Sequence, residues 1–409
     1  MAASCLRIAF TANGPGEVAG WLRPLLRALY RRASDLESYV FLVPDDYATG
    51  FEARFVREAF PQAHVYEPKS YLKFALGRSV PDLPARVDLV QYVGGDLVHS
   101  ARVHARLRGR AATYKFSRRA YRRLFARAFA VDARNVEELA AWGVPVERIH
   151  EVGNLAIDGA IFESAVAPEP GAPVDGILFM PGSRSYEVEN LVPFYFAVAL
   201  QILRARPGLR LAFALSPFTT REQVRKAIEG GGHPRMFGRK GEFVSEGVRD
   251  FVTDTAGEVC IPVLYNALPA ARAARLALTI PGTKTIELAA LGVPMMTISP
   301  YNAPEVVTIN GPLTYLDRIP LVGIPLKRAV AVAYARRFPQ HTQPNMDAGR
   351  PLVREMHGTV TPARVASVAL TCYDDAEWRQ SASSRLRGLY RDHEGAADRM
   401  AGSLLSLAA

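Results

Sequence analysis

The sequence predicts an α/β protein made of two doubly wound, mainly parallel sheets, each covered by helices on both faces. Two observations support this prediction. Short β-rich segments alternate with segments of helix length from residue 8 onward, and the same alternation starts again near residue 177. The length of 409 residues, with 49% hydrophobic and 22% charged residues, gives enough apolar material for two or three domains and excludes a disordered chain.

The first domain is expected over residues 1–160. Its first strand, residues 8–11, leads through a glycine-containing loop into a helix over residues 18–31. Later strands are expected at 39–43, 65–66, 89–93, 112–116, 128–131 and 149–152, with helices at 97–107 and 136–142.

Residues 161–175 are expected to form a linker, because their Pro/Ala/Gly-rich composition suits neither a helix nor a central strand. The second domain is then expected over residues 176–373. Its strands are predicted at 177–180, 211–215, 276–280 and 295–299, and its helices at 188–204, 221–228, 264–273 and 283–291. Residues 374–409 lack strand signals, and we expect them to be helical and to pack back on the first domain.

Three strand-to-helix loops are candidate ligand sites, because doubly wound sheets bind ligands beyond the carboxyl ends of their strands. The loop at residues 14–20 contains Gly16 and Glu17 and has the spacing G-x-G-x-x-x-G, one residue longer than the dinucleotide fingerprint. It is equally explained as a tight turn. Its backbone N–H groups would otherwise approach a phosphate at the helix N-terminus.

The other two loops lie in the second domain. The loop at residues 181–185, which contains Gly182, Ser183 and Arg184, combines free N–H groups, two hydroxyls and a guanidinium, which suits a diphosphate. The loop at residues 281–287 offers backbone donors, two threonines and the carboxylate of Glu287 for phosphate and ribose. Both loops are also explained as ordinary helix caps.

Asp96 and His99 are the candidates for acid–base chemistry. They follow the strand at 89–93 with i, i+3 spacing, which places both side chains on one face of the first helical turn. The alternative is that Asp96 caps this helix and His99 is a surface residue.

The chain contains no D-x-D, P-loop, H-E-x-x-H or G-x-S-x-G motif, so we expect neither a metal nor a cofactor. The three distant cysteines provide no disulfide framework or zinc site, and no stretch approaches the 18 apolar residues of a membrane helix. These features favour a cytoplasmic protein that holds a nucleoside diphosphate without metal, in the cleft between two facing domains.

Residues 101–127 carry ten basic residues and no acidic one, within a chain of net charge +10. This run suits nucleic acid, an anionic membrane surface or a phosphorylated substrate, and it is equally explained as a solvated face. Its members are Arg102, Arg106, Arg108, Arg110, Lys115, Arg118, Arg119, Arg122, Arg123 and Arg127.

The order of these motifs resembles that of lipid-A-disaccharide synthases. Residues 16–20 correspond to the family's G-E-x-S-G-D, residues 93–96 to V-G-x-D, and residues 152–154 to V/I-G-H. Residues 180–188 match L-P-G-S-R-x-x-E-V, residues 282–287 match G-T-x-x-x-E, and residues 343–350 match L-P-N-x-x-A-G-R. Departures are concentrated in the first domain, where Ala19, Trp21 and Asn154 replace family residues, so we expect a divergent member.

The resemblance implies a GT-B fold, with two facing Rossmann-like domains, and an inverting transfer of a glucosamine-type sugar, acylated or not, from UDP to a lipid or glycolipid acceptor. By resemblance Asp96 is the general base, with His99 in reserve, and Arg184 stabilises the leaving UDP with the amides of Gly182 and Ser183. Nucleotide-sugar binding is assigned by the resemblance to Gly16, Glu17, Gly182, Ser183, Arg184, Gly282, Thr283, Thr285, Glu287 and Asn345.

The basic run, together with Tyr71, Leu72, Phe74 and Leu76 on the preceding segment, predicts peripheral association with the inner face of the cell membrane. Two alternatives stay open: a UDP-sugar 2-epimerase of the same architecture, and a non-catalytic protein that binds anions or nucleic acid through the basic run. Nucleic acid is the less favoured partner. The sequence leaves the oligomeric state, including a homodimer, open.

Overall fold

The computed structural model describes residues 5–45, 48–115, 121–303, 329, 333 and 340–408. They form two compact units. The first comprises residues 1–159 together with 391–409, and the second comprises residues 160–390. The chain therefore divides at the start of the segment that the sequence predicts as a linker.

The first unit contains a parallel sheet of seven strands in the order β3-β2-β1-β4-β5-β6-β7. The strands are β1 Leu6–Ala12, β2 Leu36–Leu42, β3 His64–Tyr66, β4 Leu89–Tyr92, β5 Arg110–Tyr114, β6 Phe125–Ala130 and β7 Ile149–Glu151. The helices are α1 Pro15–Glu17, a π-helical turn at Val18–Leu22, α2 Arg23–Arg32, α3 Glu52–Ala59, α4 Pro68–Ala75, α5 Leu97–Leu107, α6 Ala133–Ala141 and α7 Leu155–Glu163, which continues past the boundary. The direction of winding reverses between β1 and β4.

The second unit contains an eight-stranded sheet in the order β10-β11-β12-β9-β8-β13-β14-β15. The strands are β8 Ile177–Phe179, β9 Leu211–Ala214, β10 Glu242–Glu246, β11 Arg249–Thr253, β12 Cys260–Leu264, β13 Leu276–Thr279, β14 Met295–Pro300 and β15 Arg354–Gly358. The helices are α8 Ser185–Ala205, α9 Arg221–Gly230, α10 Ala267–Ala273, α11 Thr283–Ala290, α12 Gln343–Ala348, α13 Pro362–Asp374 and α14 Ala376–Tyr390. Its winding reverses between β8 and β13.

The sequence interpretation missed the antiparallel edge of the second sheet. Residues 242–253 form a hairpin in which Glu246 pairs with Arg249, so its loop has only two residues. Gly247 begins that loop with φ +63°, a conformation that suits a two-residue hairpin. The predicted helix at 264–273 begins only at Ala267, because residues 260–264 form the strand that pairs with this hairpin.

Helix α8 is the central helix of the second unit. Its 21 residues have the length and mean hydropathy of a membrane-spanning helix, yet 61% of its most apolar window is buried within the protein. The side chains of Val192, Phe194 and Phe196 are fully buried in the core of this unit. Burial accounts for its apolar composition, as expected of a core helix.

The C-terminal helical segment predicted at 374–409 is divided between the units. Helix α14 belongs to the second unit, where Tyr390 donates a hydrogen bond of 2.7 Å to Asp347. Only residues 391–409 belong to the first unit, in which they form helix α15, Ala396–Ala408. The carboxylate of Asp158 accepts hydrogen bonds from the backbone N–H groups of Gly395 and Ala397 at 2.7 and 2.6 Å, which caps the start of α15.

Candidate functional site

The two candidate loops of the second domain follow neighbouring strands. Strands β8 and β13 pair in parallel, with Phe179 opposite Leu278, so the loops that begin at Met180 and Ile280 leave the same edge of the sheet side by side. This edge lies at the point where the winding reverses, which is the usual ligand position in such sheets.

The first of these loops is closed by a carboxylate. Oε2 of Glu187 accepts hydrogen bonds from the backbone N–H groups of Ser183 at 2.9 Å and Arg184 at 3.0 Å. A Cβ atom at Gly182 would lie only 2.2 Å from this oxygen, and the φ of +105° at Gly182 also requires glycine. The amide of Ser183, predicted to face the diphosphate, is therefore engaged by Glu187 in this structure.

Burial raises the pKa of Glu187, and the two backbone donors, together with the nearby Arg184 guanidinium, partly oppose that effect. Arg184 itself is partly exposed at the helix start, where its Nη1 donates to the hydroxyl of Tyr186 at 3.1 Å. The guanidinium thus lies at the positive end of α8, where a phosphate would be stabilised.

The second loop presents two of its predicted ligand residues and buries a third. Gly282 is exposed and Thr283 is partly exposed at the start of α11. Thr285 is fully buried and its hydroxyl donates to the carbonyl of Gly282 at 2.7 Å. The expectation that Thr285 contacts phosphate is wrong for this structure, because its donor shapes the loop instead.

Glu287 lies one turn into α11, as the sequence predicts for a ribose ligand, but its side chain is largely buried and forms an ion pair with Lys284. A ribose hydroxyl would have to share this carboxylate with the ammonium group. The ion pair therefore holds Glu287 in place at the mouth of the loop.

Asn345 does not lie in a position to bind a ligand. Its side-chain amide donates to the carbonyl of Val353 and to Glu355, and its oxygen accepts from the N–H groups of Leu352 and Val353, all within 3.0 Å. An asparagine side chain has two donor hydrogens and two acceptor lone pairs, so its capacity is filled. The predicted role in nucleotide-sugar binding is corrected to a structural one.

The corresponding edge of the first sheet carries the loops after β1 and β4, which also pair in parallel. Gly94 packs so closely that a Cβ atom would lie 2.6 Å from Oδ1 of Asn13 and 2.8 Å from Cγ of Glu17. Glu17 thus covers the turn after β4, while Gly16 is partly exposed in α1. The loop at residues 14–20 and the motif at residues 93–96 are therefore in contact.

Asp96 and His99 occupy the first turn of α5. Oδ1 of Asp96 accepts from the N–H of Val98 at 3.0 Å, so Asp96 is the N-cap residue, and its side chain is exposed. His99 is half-buried, and burial lowers its pKa, which the nearby Asp96 opposes. The capping alternative is confirmed for Asp96, whose exposed side chain lies at the start of the turn that also carries His99.

The basic run is less available to an external anion than its charge suggests. The guanidinium of Arg102 donates to the carbonyl of Ala75, and that of Arg106 to the carbonyl of Phe74, at the end of α4. Arg110 and Arg127 donate to carbonyls of α15. Arg118 and Arg119 lie outside the described residues.

Of the four apolar residues predicted to contact the membrane, two are buried and two are exposed. Tyr71 and Phe74 are 2% exposed and belong to the core beneath α4, which corrects their predicted role. Leu72 and Leu76 are 47% and 76% exposed, and Val98 in α5 is 46% exposed. Among the described residues of α4, α5 and the residue that follows α4, these three are the exposed large apolar side chains.

Within the described part of the chain, no group of three His, Cys, Asp or Glu side chains is arranged to hold a metal ion.

Comparisons with known proteins give short sequence matches and complete structural ones. No family model matches the chain. Lipid-A-disaccharide synthase from Pseudomonas paraeruginosa is 34% identical over 105 residues, which covers 25% of this chain and 27% of that protein. The enzyme of the same name from Pseudomonas syringae is 32% identical over 140 residues, which covers 33% of this chain and 36% of that protein. The matches thus span about a third or less of these relatives.

Among solved structures, the S. aureus protein MnaA with UDP aligns at a TM-score of 0.60 and 13% identity, covering 98% of this chain and 97% of that one. The UDP-GlcNAc 2-epimerase of Neisseria meningitidis aligns at 0.57 and 12% identity, covering 98% and 100%. A UDP-N-acetylglucosamine 2-epimerase described as putative, from Listeria monocytogenes, aligns at 0.57 and 14%, covering 98% and 96%. Together with the two parallel-dominated α/β sheets, these likenesses show that the chain has the GT-B fold.

Proposed function

We propose that this protein is a UDP-sugar-dependent glycosyltransferase that moves a glucosamine-type sugar to a lipid or glycolipid acceptor. The observation that carries the proposal is the set of side chains found where the winding of each sheet reverses. In the second sheet, the paired strands β8 and β13 lead through neighbouring loops to Arg184 and Glu287. In the first sheet, β4 delivers Asp96 and His99.

The nucleotide is proposed to bind the second unit. The positive N-terminus of α8 and the Arg184 guanidinium suit the diphosphate, and Gly282 and Thr283 offer further donors from the adjacent loop. Glu287 accepts hydrogen bonds from the ribose hydroxyls, as an acidic side chain does in many doubly wound nucleotide sites. Donors aimed at the diphosphate stabilise the charge that forms there when UDP leaves, so no metal is required.

Acceptor activation is proposed to belong to the first unit. The acceptor hydroxyl loses its proton to Asp96 as its oxygen attacks the anomeric carbon and the bond from that carbon to UDP breaks. Attack on the face opposite the leaving group inverts the anomeric configuration. The sequence match to lipid-A-disaccharide synthases supports transfer as the reaction class.

A UDP-sugar 2-epimerase is the second candidate, favoured by structural alignments with 2-epimerases that cover 98% of the chain. The first reversal point offers this reaction several titratable side chains as well, namely Glu17, Asp45, Asp96 and His99. Inversion at C2 by proton transfer requires that the C2–H bond be broken, whereas glycosyl transfer leaves this bond intact.

The fate of the C2 proton therefore distinguishes the two reactions. The protein is incubated with UDP-GlcNAc in D₂O, with and without a monosaccharide-lipid phosphate acceptor, and the products are followed by mass spectrometry and NMR. Transfer predicts UDP release that depends on the acceptor and a sugar that keeps its C2 proton. Deuterium at C2 without acceptor would establish epimerisation and overturn the transferase proposal.

We further propose that the protein works at the cytoplasmic surface of the cell membrane. Leu72 lies in helix α4, Leu76 directly follows that helix, and Val98 lies in the first turn of α5, which also carries His99; all three side chains are exposed. Insertion of exposed leucines at the acyl boundary would supply most of the attachment. The basic run contributes less, because four of its arginines are bonded to backbone carbonyls.

A further inference from the structure

We propose that Tyr71 donates its hydroxyl proton to Nδ1 of His99, so that His99 stands in the neutral Nε2–H form and presents a hydrogen-bond donor, not a base, to the bound sugar substrate. The inference rests on the proposed function for the identity of that substrate. It assigns Tyr71 as a positioning residue.

The contact itself is short and well enclosed. The hydroxyl oxygen of Tyr71 lies 2.7 Å from Nδ1 of His99, and the two rings meet edge to face with centroids 5.2 Å apart. Tyr71 is only 2% exposed, within the core beneath α4, so water has little access to its hydroxyl group. Two helices, α4 and α5, fix the two partners.

Counting donors and acceptors decides the direction of this hydrogen bond. Within the described residues, Nδ1 of His99 is the only hydrogen-bond partner of the Tyr71 hydroxyl. If Nδ1 carried the proton, the tyrosine would accept and its own O–H would remain buried without an acceptor. A buried unsatisfied donor costs ~1–3 kcal/mol, whereas donation to Nδ1 satisfies both groups.

Burial is consistent with a neutral ring. It raises the pKa of Tyr71 to about 12, which keeps the hydroxyl protonated at neutral pH, and it lowers the pKa of His99. The imidazole Cδ2 atom, which adjoins Nε2, lies 3.9 Å from the position of a Cβ atom on Gly95. Nε2 therefore belongs to the ring edge beside the turn after β4.

The consequence is a division of roles within one helical turn. A protonated Nε2 cannot accept a proton from an acceptor hydroxyl, whereas it can hold a sugar oxygen in place. Asp96, whose carboxylate occupies the start of the same turn, keeps the role of base.

Selective ¹⁵N-histidine labelling of the full chain tests the tautomer without requiring activity. The signal of His99 is assigned as the one lost in His99→Gln, among eight histidines. We expect Nε2 to carry the proton at neutral pH; a proton on Nδ1 or a charged ring would overturn the proposal. In Tyr71→Phe, Nδ1 of His99 loses its hydrogen-bond donor, so its ¹⁵N resonance should move toward the value of an unprotonated ring nitrogen that accepts no hydrogen bond. Unchanged signals from the other histidines would show that the variant is folded. An unmoved Nδ1 resonance would also overturn the proposal.

Two His99 variants test the donor role by their rates. Glutamine places an N–H near the position of Nε2, whereas asparagine reaches only the position of Nδ1. We expect kcat/KM of His99→Gln to exceed that of His99→Asn by about tenfold, the value of one hydrogen bond, and the acid limb of the pH profile to stay in place. Equal losses, or loss of that limb in His99→Gln, would identify His99 as the base. Absence of UDP-sugar turnover in the unmodified protein would instead remove the proposed function, and the NMR result would still decide the tautomer.

Discussion

The carboxylate of Glu187 accepts a hydrogen bond of 2.9 Å from the backbone N–H of Ser183, inside the loop proposed to hold a diphosphate. The protein thus places an acid of its own where it is proposed to bind an anion. Binding of an anion at this loop and ionisation of Glu187 must therefore be linked, because each places negative charge beside the same backbone N–H groups.

Glu187→Gln should change how stability depends on pH. The raised pKa means that the folded chain holds this proton more tightly than the unfolded chain, for which 4.5 is the ordinary value. The contribution of Glu187 to the free energy of unfolding is therefore largest at low pH and falls as pH rises through the folded pKa. Glutamine lacks this fall, so in urea titrations we expect the variant to gain stability relative to the natural protein as pH rises from the ordinary value of 4.5 through the raised pKa of Glu187.

Glu189→Gln is the matched control, because Glu189 lies two residues further along α8 and is exposed. A pH-independent difference for Glu187→Gln, equal to that of the control, would show that the Glu187 carboxylate is not desolvated.

Glu287→Ala should weaken UDP binding. A hydrogen bond to a charged group contributes ~1.5–3 kcal/mol, so loss of the ribose contact predicts about tenfold to a hundredfold lower affinity in calorimetry. Glu222→Ala serves as control, since Glu222 is an exposed acid on α9 of the same unit that pairs with Arg225. Affinity that matches the control would remove Glu287 from the ribose site.

Asn345→Ala should unfold the second unit more readily. It removes four hydrogen bonds and leaves the backbone N–H groups of Leu352 and Val353 buried without a partner, at a cost of ~3 kcal/mol or more. Gln343→Ala, at an exposed contact with Asp347, should cost less than ~0.5 kcal/mol. Normal stability with lost UDP binding would restore the ligand role that the sequence motif suggests.

Asp96→Asn separates the two roles of Asp96. Asparagine caps helices as well as aspartate does, so the free energy of unfolding should change little, while loss of the base should lower the transfer rate about a hundred- to ten-thousandfold. Asp96→Ala adds the loss of the cap, ~1 kcal/mol of stability. Transfer at the natural rate in Asp96→Asn would show that another group activates the acceptor.

Replacement of both Leu72 and Leu76 by serine should release the protein from vesicles. The two side chains are exposed, whereas their neighbours Tyr71 and Phe74 are buried, so the change leaves the core intact. The double variant should sediment with vesicles containing anionic lipid several-fold less than the unmodified protein does. The unmodified protein should sediment more with these vesicles than with neutral ones. Val248→Ser, at a 91% exposed position of the second unit, is the control. Equal sedimentation of the double variant and the control would place membrane contact elsewhere.

Local patterns predicted most strands and helices, because their signals lie within a few residues of one another. Helix α5 is predicted at its observed bounds, and its cap at Asp96 is among the alternatives that the sequence offers. The hairpin at residues 242–253 is marked only by Gly247 between two short alternating segments, and it was missed.

Roles that depend on three-dimensional partners were predicted less well. The sequence motifs assign Thr285 and Asn345 to a ligand site, yet both side chains bond to nearby backbone. The Thr285 hydroxyl donates to the carbonyl of Gly282, and the Asn345 oxygen accepts from the N–H groups of Leu352 and Val353. The contact of Tyr71 with His99 joins residues 28 positions apart. No spacing rule predicts such a contact before the helices are packed.

The first unit is interrupted in sequence by the whole of the second. Its helix α15 supplies the Ser403 carbonyl and hydroxyl to Arg127, and Asp398 to Arg31 and Arg32. During translation these partners emerge only after the ~230 residues of the second unit, which takes roughly 10–50 s at 5–20 residues per second. Residues 5–159 therefore leave the ribosome with the surface for α15 uncovered, and the unit that starts first is completed last. A nascent chain stalled before residue 391 should bind chaperones through this surface and release them once α15 has emerged.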